Sequence, residues 1–322
     1  MRASRKTWSV VLAAGDGSRL RTLTTDRFGV TVPKQFCSVG GGPSLLRMAL
    51  ARAGTVAGPG RCMVVVREEH RHWWEPEVSD LPADNVIVQP YNRGTASGLV
   101  HAALQVLLQD PTGIVAVLPA GHLVEDENTL ATALMLAIRS QEVRAGRLVL
   151  LGVAPDAPDT GYEWIRPGER RPGGSHRVSA LVQKPSAVAA ERLLREGALW
   201  NSLIFVCAAA ALLRLMEHAA PHVLERFGLP ALLPGEDRSH ALATMFQRMP
   251  KADFSRDVLP RVARRLRVIP VPPCGWTDLG TPERVMAATR RNAHPLPATA
   301  GPIRAYRPPM DLAAASPSSS PR

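Results

Sequence analysis

Cysteine, aromatic residues and long hydrophobic runs are scarce in this 322-residue sequence, and each shortage excludes a class of protein. The length allows two domains or one large α/β domain with an appendage, so a disulfide-stapled mini-protein is excluded. The cysteines form no C-x-x-C pair and have no histidine partner at zinc-finger spacing, which indicates free thiols in a reducing cytoplasm. They are Cys37, Cys62, Cys207 and Cys274.

No hydrophobic run is long enough to cross a membrane. The longest run after the start, at 203–213, falls well below the ~18 residues that a membrane span requires. The start, MRASRKTWSVVLAAG, combines basic and apolar residues as a signal peptide does, but its apolar stretch is short and runs into Asp16 and Arg19. The sequence therefore predicts a cytoplasmic protein with no membrane partner.

Lysine is also rare, although the formal net charge is +11: four of the 39 basic residues are lysines, which leaves 39 − 4 = 35 arginines. The positive balance favours an anionic partner. Because the arginines are spread along the chain and only 5% of residues are aromatic, we expect no specific nucleic-acid partner. One local cluster is predicted to form the solvated face of a helix: Arg261, Arg264, Arg265 and Arg267.

Short β-branched runs alternate with longer helical patterns in the first half of the chain. Runs at 8–13, 62–66, 114–118 and 148–153 are apolar throughout, which is typical of strands in a parallel sheet covered on both faces. We predict an α/β fold with a doubly wound, mostly parallel sheet. After about residue 154, turn-rich pieces and helical patterns predict a mixed-sheet extension over the carboxyl ends of the first strands.

The composition divides the chain into three segments. Residues 1–7 form a basic lead, and residues 8–291 form the folded domain, with halves at 8–153 and 154–291. Residues 292–322 are rich in Pro, Ser and Ala without periodicity, so we expect a disordered tail.

The first predicted strand ends in a glycine-rich loop, LAAGDGSRL, and VPKQ follows a dozen residues later. Gly15 and Gly17 permit positive φ and a close approach of backbone N–H groups to a phosphate. Arg19 and Lys34 would neutralise the charge of that phosphate. The loop lacks both the Gly-Lys-Ser/Thr ending of a Walker loop and the third glycine of a dinucleotide fingerprint, which argues against hydride transfer.

An ordered series of motifs resembles the sugar-phosphate nucleotidyltransferases. The glycine-rich loop followed by PKQF resembles the family signature, and PKQF points to the mannose-1-phosphate guanylyltransferase branch. The resemblance covers residues 8 to about 291 and implies a Rossmann-like nucleotidyltransferase fold. The further motifs are QPYNRGTASG (89–98), VLPAGH (117–122), PDTGYEWIRPG (158–168), VQKPS (182–186), LWNSLIFV (199–206), DFSRDVLPRV (253–262) and GWTDLGTPERV (275–285).

The resemblance implies nucleotidyl transfer from a nucleoside triphosphate, expected to be GTP, to a sugar 1-phosphate, expected to be mannose 1-phosphate. In such chemistry the protein mainly orients anions and stabilises charge. The implied catalytic residues are Arg19 and Lys34. The implied nucleotide-binding residues are Ala14, Gly15, Gly17, Gln89, Asn92, Gly94 and Thr95, in the half at 8–153. The implied sugar-phosphate-binding residues are Gly161, Lys184 and Asn201, in the half at 154–291. Thr95 would also serve as the N-cap of the next helix.

Two positions depart from the family pattern, and each lacks an acid. Family members usually carry an aspartate before the histidine at position 122, and it binds Mg²⁺ together with the aspartate of GW-x-D. Here the first position is Gly121 and the second is Asp278, so we expect Mg²⁺ to bind weakly through Asp278. Gln183 stands where glutamate is common. Compensating ligands from Asp16, Glu125 or Asp126 are conceivable, but the sequence does not place them at the ion.

These losses keep a second hypothesis open, a nucleotide or nucleotide-sugar binding protein with weak or no catalysis because of Gly121. A metal-dependent glycosyltransferase would share the fold class, but the sequence has no D-x-D motif. A homodimer is one expected state, since dimers are common for such folds, although no interface stripe stands out.

Overall fold

A computed structural model describes residues 6–26, 28–58, 60–227, 235–291 and 303–305. The strands are β1 (Thr7–Leu12), β2 (Cys37–Val39), β3 (Cys62–Arg67), β4 (Val86–Gln89), β5 (Ile114–Pro119), β6 (Val149–Val153), β7 (Trp164–Arg170), β8 (His176–Val182), β9 (Leu199–Ala208), β10 (Arg267–Val271) and β11 (Ile303–Ala305). The α-helices are α1 (Arg21–Thr24), α2 (Leu45–Gly54), α3 (Arg71–Trp74), α4 (Thr95–Gln109), α5 (Glu127–Arg139), α6 (Gln141–Arg144), α7 (Ala187–Arg195), α8 (Ala209–Ala219), α9 (Pro221–Leu224), α10 (Gly235–Arg248) and α11 (Pro282–Arg291).

One nine-stranded sheet organises the fold, in the order β4-β3-β1-β5-β9-β6-β10-β8-β7. The first four strands are parallel, as are β6 and β10. The pairs formed by β9, and those that join β10, β8 and β7, are antiparallel. The sheet is therefore mixed, and the expected mostly parallel, doubly wound arrangement is not confirmed. The reason is that β9 inserts between β5 and β6 with reversed direction.

Helices cover both faces of this sheet. Val10 and Val11 of β1 are both buried but belong to two different hydrophobic clusters, because successive side chains of a strand point to opposite faces. One cluster includes residues of α2, α5 and α7, and the other includes residues of α4, α8 and α10. Burial on both faces explains why the first strands read as continuous apolar runs.

The strand register brings the predicted site segments to one edge of the sheet. Leu12 at the end of β1 pairs with Pro119 at the end of β5, and Val153 at the end of β6 pairs with Val271 of β10. Antiparallel β9 starts at this same edge, since its Trp200 pairs with Val153. Loops at the carboxyl ends of adjacent parallel strands form the usual ligand crevice of such sheets.

Residues 303–305 pair with β2, so these three form a strand and are not disordered. The remainder of 292–322, and residues 1–5 of the basic lead, lie outside the described residues.

The predicted arginine helix is a 3₁₀ helix at 259–265. Arg267 lies beyond it in β10, where it is buried and ion-paired with Glu142, so it was wrong to assign it to a solvated face. No helix in the described ranges is long and apolar enough to cross a bilayer.

Candidate active site

A pocket of about 380 Å³ opens at the carboxyl edge of the sheet. It is lined by the glycine-rich loop after β1, by the segment at Lys34 and Gln35, by the loop after β5 and by residues 278–280. The predicted site residues in its wall are Gly15, Gly17, Arg19, Lys34 and Asp278, together with Gly121. Four segments that are far apart in the sequence thus meet as the motif series implied.

Close backbone packing shapes the glycine-rich loop. Gly17 has φ 62°, and a β-carbon there would lie 2.8 Å from the backbone nitrogen of Lys34, so only glycine fits without a shift. The buried side chain of Gln35 donates from Nε2 to the carbonyls of Ala13 and Gly15, each at 2.8 Å. Gln35 therefore holds the loop on both sides of Ala14. Gln35 was not among the predicted site residues, although it lies within PKQF.

Lys34 points its ammonium at the segment that carries Asp278. Nζ donates to the backbone carbonyl of Asp278 at 2.5 Å and lies 3.5 Å from that of Leu279. Burial lowers the pKa of Lys34 to about 8; the charge of Asp278 opposes this shift, and those of Arg19 and Arg284 add to it. Arg19 is exposed and has no ion-pair partner among the residues described. Lys34 and Arg19 both line the pocket.

Position 121 leaves room for this ammonium. A β-carbon on Gly121 would lie 2.5 Å from Cε and 2.7 Å from Nζ of Lys34. The neighbouring His122 is buried, packs edge-on against Trp276 and has a pKa held well below its usual range by burial and by the charge of Lys34. Its imidazole is therefore neutral at pH 7.

The carboxylate of Asp278 already has a cationic partner, Arg284, which the sequence analysis missed. Asp278 Oδ1 accepts from Arg284 Nη1 at 2.7 Å and from the backbone N–H of Gly280 at 2.8 Å. Arg284 also binds both oxygens of Asp159, and its Cζ lies 3.6 Å from the ring centroid of Tyr162.

The described residues do not fit the divalent cation that the resemblance implies. Position 121 offers no carboxylate, and a guanidinium occupies the one at position 278. The other acids considered as compensating ligands have other partners: Asp16 pairs with Arg67, Glu125 pairs with Arg291, and Asp126 accepts from the backbone N–H of Thr129. Within the described ranges, no three His, Cys, Asp or Glu residues are grouped so that they could hold a metal ion.

The predicted nucleotide loop contacts both the glycine-rich loop and the segment at 252–254. Asn92 donates from Nδ2 to Asp16 at 2.9 Å. A β-carbon at Gly94 would lie 2.1 Å from the carbonyl oxygen of Ala252, which explains the glycine. Gly94, not Thr95, is the N-cap of α4, and the Thr95 hydroxyl instead accepts from the N–H of Phe254. Gln89 is buried, and its Nε2 lies within hydrogen-bond distance of Ser97, so its side chain does not line the pocket.

The predicted sugar-phosphate residues lie at the same sheet edge but in separate contacts. Asn201 donates from Nδ2 to Glu163 and to Ser255, each at 3.1 Å. Glu163, which the sequence analysis missed although it lies two residues after Gly161, has a pKa raised by burial. Gly161 packs beneath Arg284. Lys184 is exposed just after β8, with φ 40° and no polar partner among the described residues.

Comparison with known proteins agrees with this geometry. Residues 8–294 match the family described as nucleotidyl transferase, and the chain belongs to that family. This confirms the predicted membership among sugar-phosphate nucleotidyltransferases. Within the family the chain is similar to the mannose-1-phosphate guanylyltransferase of Escherichia coli, at 30% identity over 290 residues. It is also similar to the alginate biosynthesis protein AlgA of Pseudomonas syringae pv. tomato, at 29% identity over 292 residues. These alignments cover 87% and 88% of this chain but 59% of each relative, so the chain spans under two thirds of their length.

A solved structure from Thermus thermophilus, described as mannose-1-phosphate geranyltransferase, has 27% identity and a TM-score of 0.75. That match covers 88% of this chain and 79% of the other. A UDP-glucose pyrophosphorylase complexed with UDP-glucose has 15% identity and a TM-score of 0.53, over 90% of this chain and 98% of the other, and supports the fold alone.

Proposed function

We propose that this chain transfers a nucleotidyl group from a nucleoside triphosphate to a sugar 1-phosphate, giving a nucleotide sugar and pyrophosphate. One observation carries the proposal: the glycine-rich loop, Lys34 and Asp278 line a single pocket at the carboxyl edge of the sheet. Asn201 and Glu163 lie at that same edge, on the side of β9. Two anionic substrates could therefore be held side by side.

The proposed substrates are GTP and mannose 1-phosphate. Their support is the printed names of relatives in Escherichia coli and Salmonella typhimurium, both mannose-1-phosphate guanylyltransferases, at 30% identity. The alternative of a binding protein without turnover is not favoured, because these relatives are named as transferases. We also propose a cytoplasmic location, supported by four free thiols. We also propose that the chain forms a homodimer, and light scattering on the full chain tests this by measuring its mass in solution.

In the proposed reaction an oxygen of the sugar phosphate attacks the α-phosphorus of the triphosphate. The bond from the α-phosphorus to the oxygen that bridges to the β-phosphate breaks, and that oxygen leaves with the electron pair as part of pyrophosphate. Lys34 and Arg19, which line the same pocket, would bind the triphosphate and stabilise the charge that develops on the leaving group. No protein nucleophile takes part, so orientation and electrostatics supply the rate enhancement.

A substrate panel tests the proposal. Pyrophosphate release is measured for each pairing of four nucleoside triphosphates with several sugar 1-phosphates, with MgCl₂ and with EDTA. We expect GTP with mannose 1-phosphate to exceed every other pair by about tenfold or more in kcat/KM, a difference of about 1.4 kcal/mol in transition-state binding. Lys34→Met should abolish release while the circular dichroism spectrum stays unchanged. A folded wild-type chain that binds GTP and releases no pyrophosphate with any partner would establish the binding-protein alternative.

A further inference from the structure

The guanidinium of Arg284 joins Asp278, which lines the pocket, to Asp159. Its Nη1 donates to Asp278 at 2.7 Å, while Nη2 and Nε donate to the two oxygens of Asp159 at 2.7 and 3.2 Å. Its side chain is only 12% exposed and covers the ring of Tyr162. A two-point arginine–carboxylate contact combined with ring stacking holds a guanidinium in a defined position. Arg284 is thus a fixed positive charge bonded to Asp278, which lines the pocket.

A second cation, Lys34, contacts the backbone of Asp278. Its ammonium donates to the backbone carbonyl of Asp278 and occupies the volume that a side chain at position 121 would fill. Since position 121 is glycine, no carboxylate faces this ammonium from that loop. A divalent cation at Asp278 would therefore have to displace Arg284 and stay close to the charge of Lys34. Both effects oppose metal binding, because like charges repel and the ion pair between Arg284 and Asp278 must break.

We propose that Lys34 and Arg284 together supply the positive charge that the family resemblance assigns to a divalent cation, so that this chain binds its nucleoside triphosphate without a divalent cation. That the anion is a nucleoside triphosphate rests on the proposed function. The exclusion of the metal does not depend on it. Arg284 also lies against Gly161, since a β-carbon there would be 2.7 Å from Nη2. Its guanidinium is therefore positioned between the triphosphate pocket and the predicted sugar-phosphate segment.

The first test needs no nucleotide. The full chain is titrated with Mn²⁺, and free Mn²⁺ is followed by its electron paramagnetic resonance signal. We expect no stoichiometric uptake by wild type, and uptake of about one ion per chain by the double variant Gly121→Asp/Arg284→Met, which creates a pair of carboxylates without the guanidinium. Uptake by wild type that disappears in Asp278→Asn would overturn the proposal. A folded double variant that takes up no Mn²⁺ would also overturn it, since Arg284 would then not be what excludes the metal.

The second test measures GTP binding by calorimetry in EDTA and in MgCl₂. We expect the wild-type dissociation constants in the two conditions to agree within about threefold. Arg284→Met should weaken binding in EDTA by about tenfold or more, as expected for loss of a charge-assisted contact. Arg71→Met is the matched control, because Arg71 also pairs with two carboxylates, Glu68 and Glu75, and covers an aromatic ring. Since Arg71 lies on the surface, this variant should leave GTP binding unchanged.

The outcomes of the two tests separate the two proposals. Tight GTP binding only in MgCl₂ overturns the metal-free inference and leaves the proposed function standing. A wild-type chain that binds GTP in neither condition contradicts the proposed function. If wild type then also takes up no Mn²⁺ while the double variant does, the exclusion of the metal is still supported. If Arg284→Met fails to fold, the wild-type comparison between EDTA and MgCl₂ still decides.

Discussion

Gly121 and Lys34 share one space in the pocket: a β-carbon on Gly121 would meet the last two atoms of the lysine side chain, at 2.5 and 2.7 Å. These atoms end a flexible chain, so a substitution at 121 should displace the ammonium rather than the backbone. Lys34 can reach the carbonyl of Asp278 in this position only because residue 121 has no side chain. The glycine at position 121 thus leaves space for the ammonium of Lys34.

Gly121→Ala is therefore expected to weaken GTP binding in EDTA by about three- to tenfold, because the displaced ammonium loses a charge-assisted contact with the phosphates. The midpoint of thermal unfolding should stay within about 2 °C of wild type. Calorimetry and thermal denaturation provide the two measurements. Gly42→Ala is the matched control, since nothing lies within 4 Å of a β-carbon there. Unchanged affinity in Gly121→Ala would show that Lys34 does not depend on the open volume at position 121.

The pH dependence of GTP binding should reveal Lys34. Burial lowers its pKa to about 8, and only the protonated ammonium attracts phosphate, so affinity should fall as the pH rises through that value. Between about pH 7 and pH 9 we expect a loss of about tenfold. Lys34→Arg stays charged over this range and should flatten the profile. Lys251→Arg, at an exposed lysine, should keep the wild-type slope. An equal slope in wild type and Lys34→Arg would contradict the assignment.

Gln35 should stabilise the glycine-rich loop. Gln35→Leu removes the donor that serves the carbonyls of Ala13 and Gly15, and leaves a buried and a partly buried acceptor without this partner. We expect the free energy of unfolding, measured by urea denaturation, to fall by about 2 kcal/mol. GTP binding should weaken as well, because the loop loses its anchor. Gln141→Leu, at an exposed glutamine, should change neither quantity. Full stability in Gln35→Leu would argue that the loop is held by other contacts.

Glu163 should act on the sugar phosphate and not on the nucleotide. One oxygen of its carboxylate, Oε2, accepts from Asn201 and from Ser255, and Glu163→Gln removes the negative charge that strengthens both hydrogen bonds. Under the proposed function, the KM for mannose 1-phosphate should rise by about tenfold while the KM for GTP changes by less than about twofold. Steady-state pyrophosphate release measures both. Glu169→Gln, at an exposed glutamate paired with surface arginines, is the control. Equal changes in both constants would refute a role confined to the sugar.

Local patterns predicted much of the fold. The apolar runs at 8–13 and 62–66 correspond to β1 and β3, and those at 114–118 and 148–153 correspond to β5 and β6. Strand direction could not be predicted, because it depends on pairing between distant segments. The ten-residue β9 pairs antiparallel with both β5 and β6, and no feature of its own sequence encodes this choice. Arg267 was misassigned for the same reason, since its partner Glu142 is distant in the chain.

The order and spacing of the motifs by themselves determined the family, the glycine-rich loop, the two candidate cations at positions 19 and 34 and the glycine at position 121. These features are local, since each depends on the residue type at one place in the chain. Only the tertiary structure decided which charges face one another. Arg284 is separated from Asp159 by 125 residues and Lys34 from Asp278 by 244, so their contacts exist only once the strands have assembled. The electrostatics of the pocket therefore follow from the folding of distant segments onto one sheet edge.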